Sequence, residues 1–178
     1  TDVFVGEACS ATNLELLQML GISHILLFGD DDHSDALVTA RALDATLLVV
    51  PDAMGCVERG DTNALLVECT ALVHAGRSAE EGGALIAGAL VGAGAVWAAC
   101  ALLTTASPPV SIRRAFMKCR KLFPECRMMP ELAAGVEAFA AAEAATAEAA
   151  AAAAAAAGCG QLGSGDSDSD DEDDDDGA

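Results

Sequence analysis

The chain has 178 residues, 53% of them hydrophobic, and a formal net charge of -19. The last thirteen residues, DSDSDDEDDDDGA, carry nine acidic groups and no basic one, and removing those nine still leaves -10. The length suffices for one domain with a real core, and an acidic body argues against nucleic acid and against anionic membrane surfaces as partners.

In chain order, DVFVG is a short apolar run ending in glycine and is expected to be a strand. SATNLELLQMLG reads as a helix with Asn13 or Ser10 as its cap, Leu14, Leu17 and Leu20 on one face, and Gly21 as its stop. HILLF is continuously apolar, as buried strands are. DDDHSDALVTARALD is polar and loop-like, with room for a helical turn or more, and ATLLVV is a second buried strand ended by Pro51. VPDAMGCVERGD is expected to be a loop. TNALLVECTALVHAGRSAE then places Leu65, Leu66, Cys69, Leu72 and Val73 on one helical side. ALIA is a short strand and VWAACALL a helix. PVSIRRAFMKCRKLF starts on proline and repeats Ile112, Phe116, Cys119 and Phe123 at helical spacing. Strands separated by helices predict an α/β fold, a mostly parallel sheet covered on both faces.

From Pro130 the composition shifts to alanine, the best helix former. Leu132, Val136 and Phe139 can pack one face of the first turns, and beyond Phe139 almost nothing large remains to bury. The expected organisation is a folded domain over 1–139, an Ala-rich helical extension over 140–157, and a disordered acidic tail over 158–178.

The stretch GGALIAGALVGAGAVWAACALLTTA, residues 82–106, holds no charge and admits three readings. It is long enough for a transmembrane helix. Five glycines in its first thirteen residues make a poor one, and no basic flank or aromatic belt marks its ends. A dinucleotide loop needs G-x-G-x-x-G, and GAGAVW puts Trp97 where the third glycine belongs. A tight turn between a strand and a helix is the third reading.

Seven cysteines stand at 9, 56, 69, 100, 119, 126 and 159 with no CxxC pair, beside only three histidines. That pattern predicts buried or free thiols in a reducing compartment, cytoplasmic or nuclear, with no metal and no cofactor. The opening TDVFVGEACS lacks the basic and long apolar regions of a secretory leader, and without an initiator Met it is expected to be a processed start or a fragment. Arg113, Arg114, Lys118, Arg120, Lys121 and Arg127 form the only basic cluster, read as a solvated helix face or as a dock for an acidic segment, the chain's own tail included.

Taken together, these segments resemble the dual-specificity protein phosphatase domain. In that family an Asn-Leu-x-x-Leu helix is followed by Leu-Gly-Ile-x-His-Ile-Leu, as in NLELLQMLGISHIL here. LLVVPD resembles the family's next strand, GGALIAGALVGAGAVWAACALL its catalytic-loop region, and VSIRRAFMKCRKLFPECRMMPELAAGVEAF its last two helices. The resemblance covers roughly Asp2 to Phe139 and implies that family's three-layer fold.

The family's loop reads His-Cys-x-x-Gly-x-x-Arg-Ser. Aligned without gaps, its histidine falls on Gly88, its nucleophilic cysteine on Ala89, its glycine on Gly92, its phosphate-binding arginine on Ala95 and its hydroxyl residue on Val96. The family's general-acid aspartate precedes the cysteine by about thirty residues; here Asp52 and Asp61 precede Ala89 by 37 and 28. The resemblance therefore implies a catalytically dead phosphatase domain whose partners are proteins: phosphoproteins, an active phosphatase or a kinase. Two other classes stay open: an active phosphatase using a thiol from elsewhere, with Cys56, Cys69 and Cys100 as candidates, and a membrane protein using 82–106 as its span.

Overall fold

The computed structural model describes residues 2–29, 32–78, 82–88, 93–106, 109–124, 126–127 and 129–158. They divide into two compact units, Thr1–Ala144 and Ala145–Ala178. The first unit is built on a four-stranded parallel sheet of β1 (Val3–Glu7), β2 (Ile22–Phe28), β3 (Thr46–Val50) and β4 (Gly83–Gly88), in the order β1-β4-β2-β3. The helices are α1 (Leu14–Met19), α2 (Ser34–Ala42), α3 (Ala53–Arg59), α4 (Thr62–Ser78), α5 (Ala93–Thr105), α6 (Ile112–Leu122) and α7 (Pro130–Gly158). Of the second unit, the described residues 145–158 are the last turns of α7.

Alternation along the two inner strands sorts the core onto two faces. Ile25, Leu27, Leu85 and Ala87 pack with Leu17, Ala36 and Ala40 of α1 and α2. Leu26, Phe28, Ala84 and Ile86 pack with α4, α5, α6 and the start of α7, including Leu66, Cys69, Val73, Trp97, Cys100, Ala115 and Phe139. The sheet is thus covered on both sides, as the strand-helix alternation predicted. Helix α4 lies close because Gly76 has no side chain: a Cβ there would sit 2.9 Å from that of His24 and 3.1 Å from that of Ala84. The predicted packing of Leu132, Val136 and Phe139 is observed, all three being buried.

Several local expectations are corrected. The helix expected over SATNLELLQMLG begins only at Leu14; residues Ala8–Thr12 form a 3-10 turn. Asn13 is its cap, Oδ1 accepting the Leu16 N–H at 3.1 Å, and Gly21 stops the segment at φ +61°. Leu14 is exposed while Leu17 is buried, because residues three apart drift by about 60° per step around a helix. The polar stretch after β2 is the nine-residue helix α2. The segment expected as a loop after Pro51 holds α3: the Asp52 carboxylate accepts the Gly55 N–H at 2.7 Å and starts the helix, and Gly60 closes it at φ +80°. Helix α6 begins at Ile112 rather than at the proline, since the Val110 N–H is engaged by the Leu103 carbonyl.

The uncharged stretch 82–106 is not a membrane span. It contains a buried strand, β4, and a thirteen-residue helix, α5, whose length of about 20 Å falls short of a bilayer's hydrocarbon core of about 30 Å. Among the described residues no helix is long and apolar enough to cross a membrane.

Candidate functional site at the carboxyl edge of the sheet

Because all four strands are parallel, their carboxyl ends share one edge. The register places Gly88 of the central strand between Glu7 of β1 and Phe28 of β2, with Val50 of β3 beside Phe28. The segments that follow β1 and β2 pack on one face, and those that follow β3 and β4 on the other. Adjacent strands therefore send the chain to opposite faces on both sides of β4. In open parallel sheets the crevice that opens at such a switch point is where ligands bind.

Around this crevice the sequence-predicted residues are distributed as follows. Gly88 is the last residue of β4 and is buried. Ala89 and Gly92 lie outside the described residues. The chain is helical again from Ala93, so Ala95 falls in the first turn of α5. Val96 and Trp97 are buried in the core. β4 thus ends at Gly88 and α5 begins at Ala93. The nine residues Gly88 to Val96, GALVGAGAV, include no thiol, hydroxyl, imidazole or charge.

Asp52 and Asp61 are joined by a residue that sequence reading missed. The Arg59 guanidinium pairs with Asp52 Oδ2 through Nη1 at 3.4 Å and with Asp61 Oδ2 through Nε at 3.5 Å. Its Nη2 donates to Cys56 Sγ at 3.3 Å. All of these side chains are at least partly exposed. Cys56 and Arg59 stand three apart and meet because α3 is a helix; read as a loop, the segment hid that spacing. Asp52 already serves as the α3 start and as an ion-pair partner.

On the other side of the edge a cavity of about 280 Å3 is lined by residues including Cys9, Thr12, Gly29, Asp32 and His33. His33 Nε2 lies 2.8 Å from the Gly29 carbonyl, which can only accept, so the ring proton sits on Nε2. The Ser34 N–H, 2.9 Å from Asp32 Oδ1, holds that carboxyl below its ordinary range. The other thiols named in advance lie elsewhere: Cys69 and Cys100 are buried under the sheet, and burial, with the nearby Glu68 charge, pushes the Cys69 thiol up to about 12. Among the described residues no group of three His, Cys, Asp or Glu side chains could hold a metal ion.

With this geometry in place, solved structures supply the class. Human DUSP28 is similar to this chain at 18% identity and a TM-score of 0.59, covering 81% of this chain and 94% of its own. A mouse dual-specificity phosphatase solved with zinc tungstate is similar at 20% identity and a TM-score of 0.60, covering 82% and 86%. The Yvh1 phosphatase domain from Chaetomium thermophilum is similar at 19% identity and a TM-score of 0.52, covering 77% and 89%. No family model matches the chain, and no curated protein matches it in sequence. The first unit has the fold of the dual-specificity protein phosphatases.

Proposed function

We propose that the chain is a catalytically inactive dual-specificity-phosphatase-like domain that acts by binding proteins in phosphorylation signalling. The observation that carries this reading is chemical. At the end of the central strand, where the fold would hold its phosphate loop, Gly88 to Val96 offer no nucleophile and no cation. In the dual-specificity phosphatases, hydrolysis through a phosphoenzyme uses a thiolate of lowered pKa, which Ala89 cannot supply. Gripping the phosphoryl oxygens needs a guanidinium fork, each charge-assisted bond of which contributes about 1.5–3 kcal/mol. Ala95 removes that as well. The partners that fit an inactive domain of this fold are phosphoproteins, an active phosphatase or a kinase, with 140–157 and 158–178 as appendages to a domain over 1–139.

The test is turnover of p-nitrophenyl phosphate and of a phosphotyrosine peptide by the purified full chain. The expected rate is that of a heat-inactivated control. Turnover abolished by vanadate would refute the proposal. Tungstate, held with zinc by the mouse neighbour, is expected to give no saturable binding to this chain in titration calorimetry. A pull-down with and without 158–178 identifies the protein partners.

One observation favours a second reading, an active phosphatase with relocated groups. Cys56, Arg59 and Asp52 supply a thiol, a guanidinium and a carboxylate on one short helix that follows β3. If turnover is found and Cys56→Ser abolishes it, this reading replaces the first.

A further inference from the structure

Four of the seven cysteines, Cys69, Cys100, Cys119 and Cys126, belong to one core cluster, and the last three lie on or just after α5 and α6. Cys100 is on α5, Cys119 on α6, and Cys126 follows α6; they are 2%, 6% and 5% exposed. Cys100 Sγ and Cys119 Sγ are 3.9 Å apart. They lie apart from the Cys56, Arg59, Asp52 and Asp61 group on and beside α3. A buried thiol is inert when alone, but two sulfurs in contact have a reaction open to them that one does not. A disulfide bond is about 2.05 Å long, so the sulfurs need close by only about 1.9 Å, a distance within reach of side-chain rotation.

A cavity of about 20 Å3, enough for one water-sized molecule, is lined by Cys100 with Trp97, Ile112, Phe116 and Arg127. The contact with Cys100 lowers the Cys119 thiol against the opposing effect of its burial. The same contact, with burial, pushes Cys100 up.

We propose that Cys100 and Cys119 are a peroxide-oxidisable dithiol, whose disulfide clamps α5 to α6. The Cys119 thiolate attacks one oxygen of hydrogen peroxide. The O–O bond breaks, and the departing hydroxide takes up the thiol's proton as water, leaving a sulfenic acid on Cys119. The Cys100 sulfur then attacks the Cys119 sulfur. The S–S bond forms, the S–O bond breaks, and hydroxide leaves with the Cys100 proton as a second water. Two thiols are oxidised, and one peroxide is reduced to two waters. The bridge closes a loop between positions nineteen apart, and a thiol reductant reverses it. The clamp fixes α5, the helix that begins at Ala93 after β4.

The experiment uses the full chain, reduced and then exposed to hydrogen peroxide. It is quenched in denaturant with iodoacetamide and digested with trypsin. Peptide 78–113 carries Cys100, the dipeptide Cys119–Arg120 carries Cys119, and 122–127 carries Cys126. The expected product is 78–113 joined to Cys119–Arg120, about 2 Da lighter than the two thiol peptides together, and lost on treatment with dithiothreitol. The unfolding midpoint of the oxidised chain is expected to rise by roughly 6–12 °C, from the entropy of closing a loop of this length. Cys119→Ser removes the joined peptide and the rise; should that variant not fold, the mapping of the natural chain stands by itself. Recovery of Cys100 and Cys119 as separate alkylated peptides, under peroxide sufficient to oxidise the exposed Cys9, overturns the proposal. A bridge from Cys100 to Cys126 overturns the pairing.

Discussion

Phe139→Ala, compared with truncation after Ala144, asks where the stabilising part of α7 ends. Phe139 is 1% exposed and belongs to the same core cluster as Trp97, Leu132 and Val136. Removing a buried phenyl ring loses its transfer free energy and leaves a cavity, together about 3–5 kcal/mol. For a chain of this size each kcal/mol moves the unfolding midpoint by about 2–4 °C, so the expected fall is about 6–20 °C. Residues 145–156 are all exposed and, apart from Thr146 and Glu148, all alanine. Exposed alanines contribute little to stability, and the expected change on truncation is within about 0.5 kcal/mol. Trp97 is the only tryptophan and is 3% exposed, so its fluorescence follows the core. Thermal melts of the three proteins decide the matter. A truncation that lowers the midpoint as far as Phe139→Ala does, or a Phe139→Ala variant within about 2 °C of the natural chain, would refute the reasoning.

Other expectations follow from single contacts. The Cys69 thiol, at an ordinary value of 9.0 when unfolded and about 12 when folded, holds its proton longer in the native state. Its contribution is therefore complete below pH 9 and is lost as pH rises toward 12, by up to about 1.4 kcal/mol per pH unit. Urea unfolding at successive pH values in that range should show a shallower decline for Cys69→Ala, and an unchanged slope would count against it. Asp52→Ala removes the start of α3 and a partner of Arg59, which should cost about 0.5–2 kcal/mol and speed amide exchange over residues 55–59. Asp52→Asn keeps an acceptor and should cost less; equal losses would show that the cap does not matter. Gly76→Ala gains about 1 kcal/mol of helix propensity but drives a Cβ to 2.9 Å from that of His24, at a cost of about 1–3 kcal/mol. A net loss of stability in chemical unfolding is expected, and a gain would show that α4 can move away freely.

Much of the fold can be read from residue order because its parts are local. HILLF is a strand buried from Ile25 onward, and continuous apolar character says so without any partner; ATLLVV is also a strand, but it lies at the sheet edge with only Val50 buried, which corrects the expectation of a second buried strand. Leu66, Cys69 and Val73 lie on the buried face of α4 because helical periodicity is a property of the segment itself. The missing nucleophile and cation in Gly88 to Val96 are likewise facts of sequence. The elements that escaped were those whose start depends on one side-chain contact. Helix α3 contains a glycine, follows a proline and exists because Asp52 turns back onto Gly55. Once that helix was missed, the meeting of Cys56, Arg59, Asp52 and Asp61 could not be seen.

What the sequence by itself determined is the set of buried faces and the chemistry absent from the loop, since both depend on residues near one another in the chain. What only the tertiary structure decided is proximity across the chain. The order β1-β4-β2-β3 puts Glu7, Gly88, Phe28 and Val50 at one edge, although up to 81 positions separate them. The contact of Cys100 with Cys119 depends in the same way on how α5 lies against α6. The periodicity of a helix states which side is apolar; which other apolar side it meets, and at what depth, is set by the packing of the whole core.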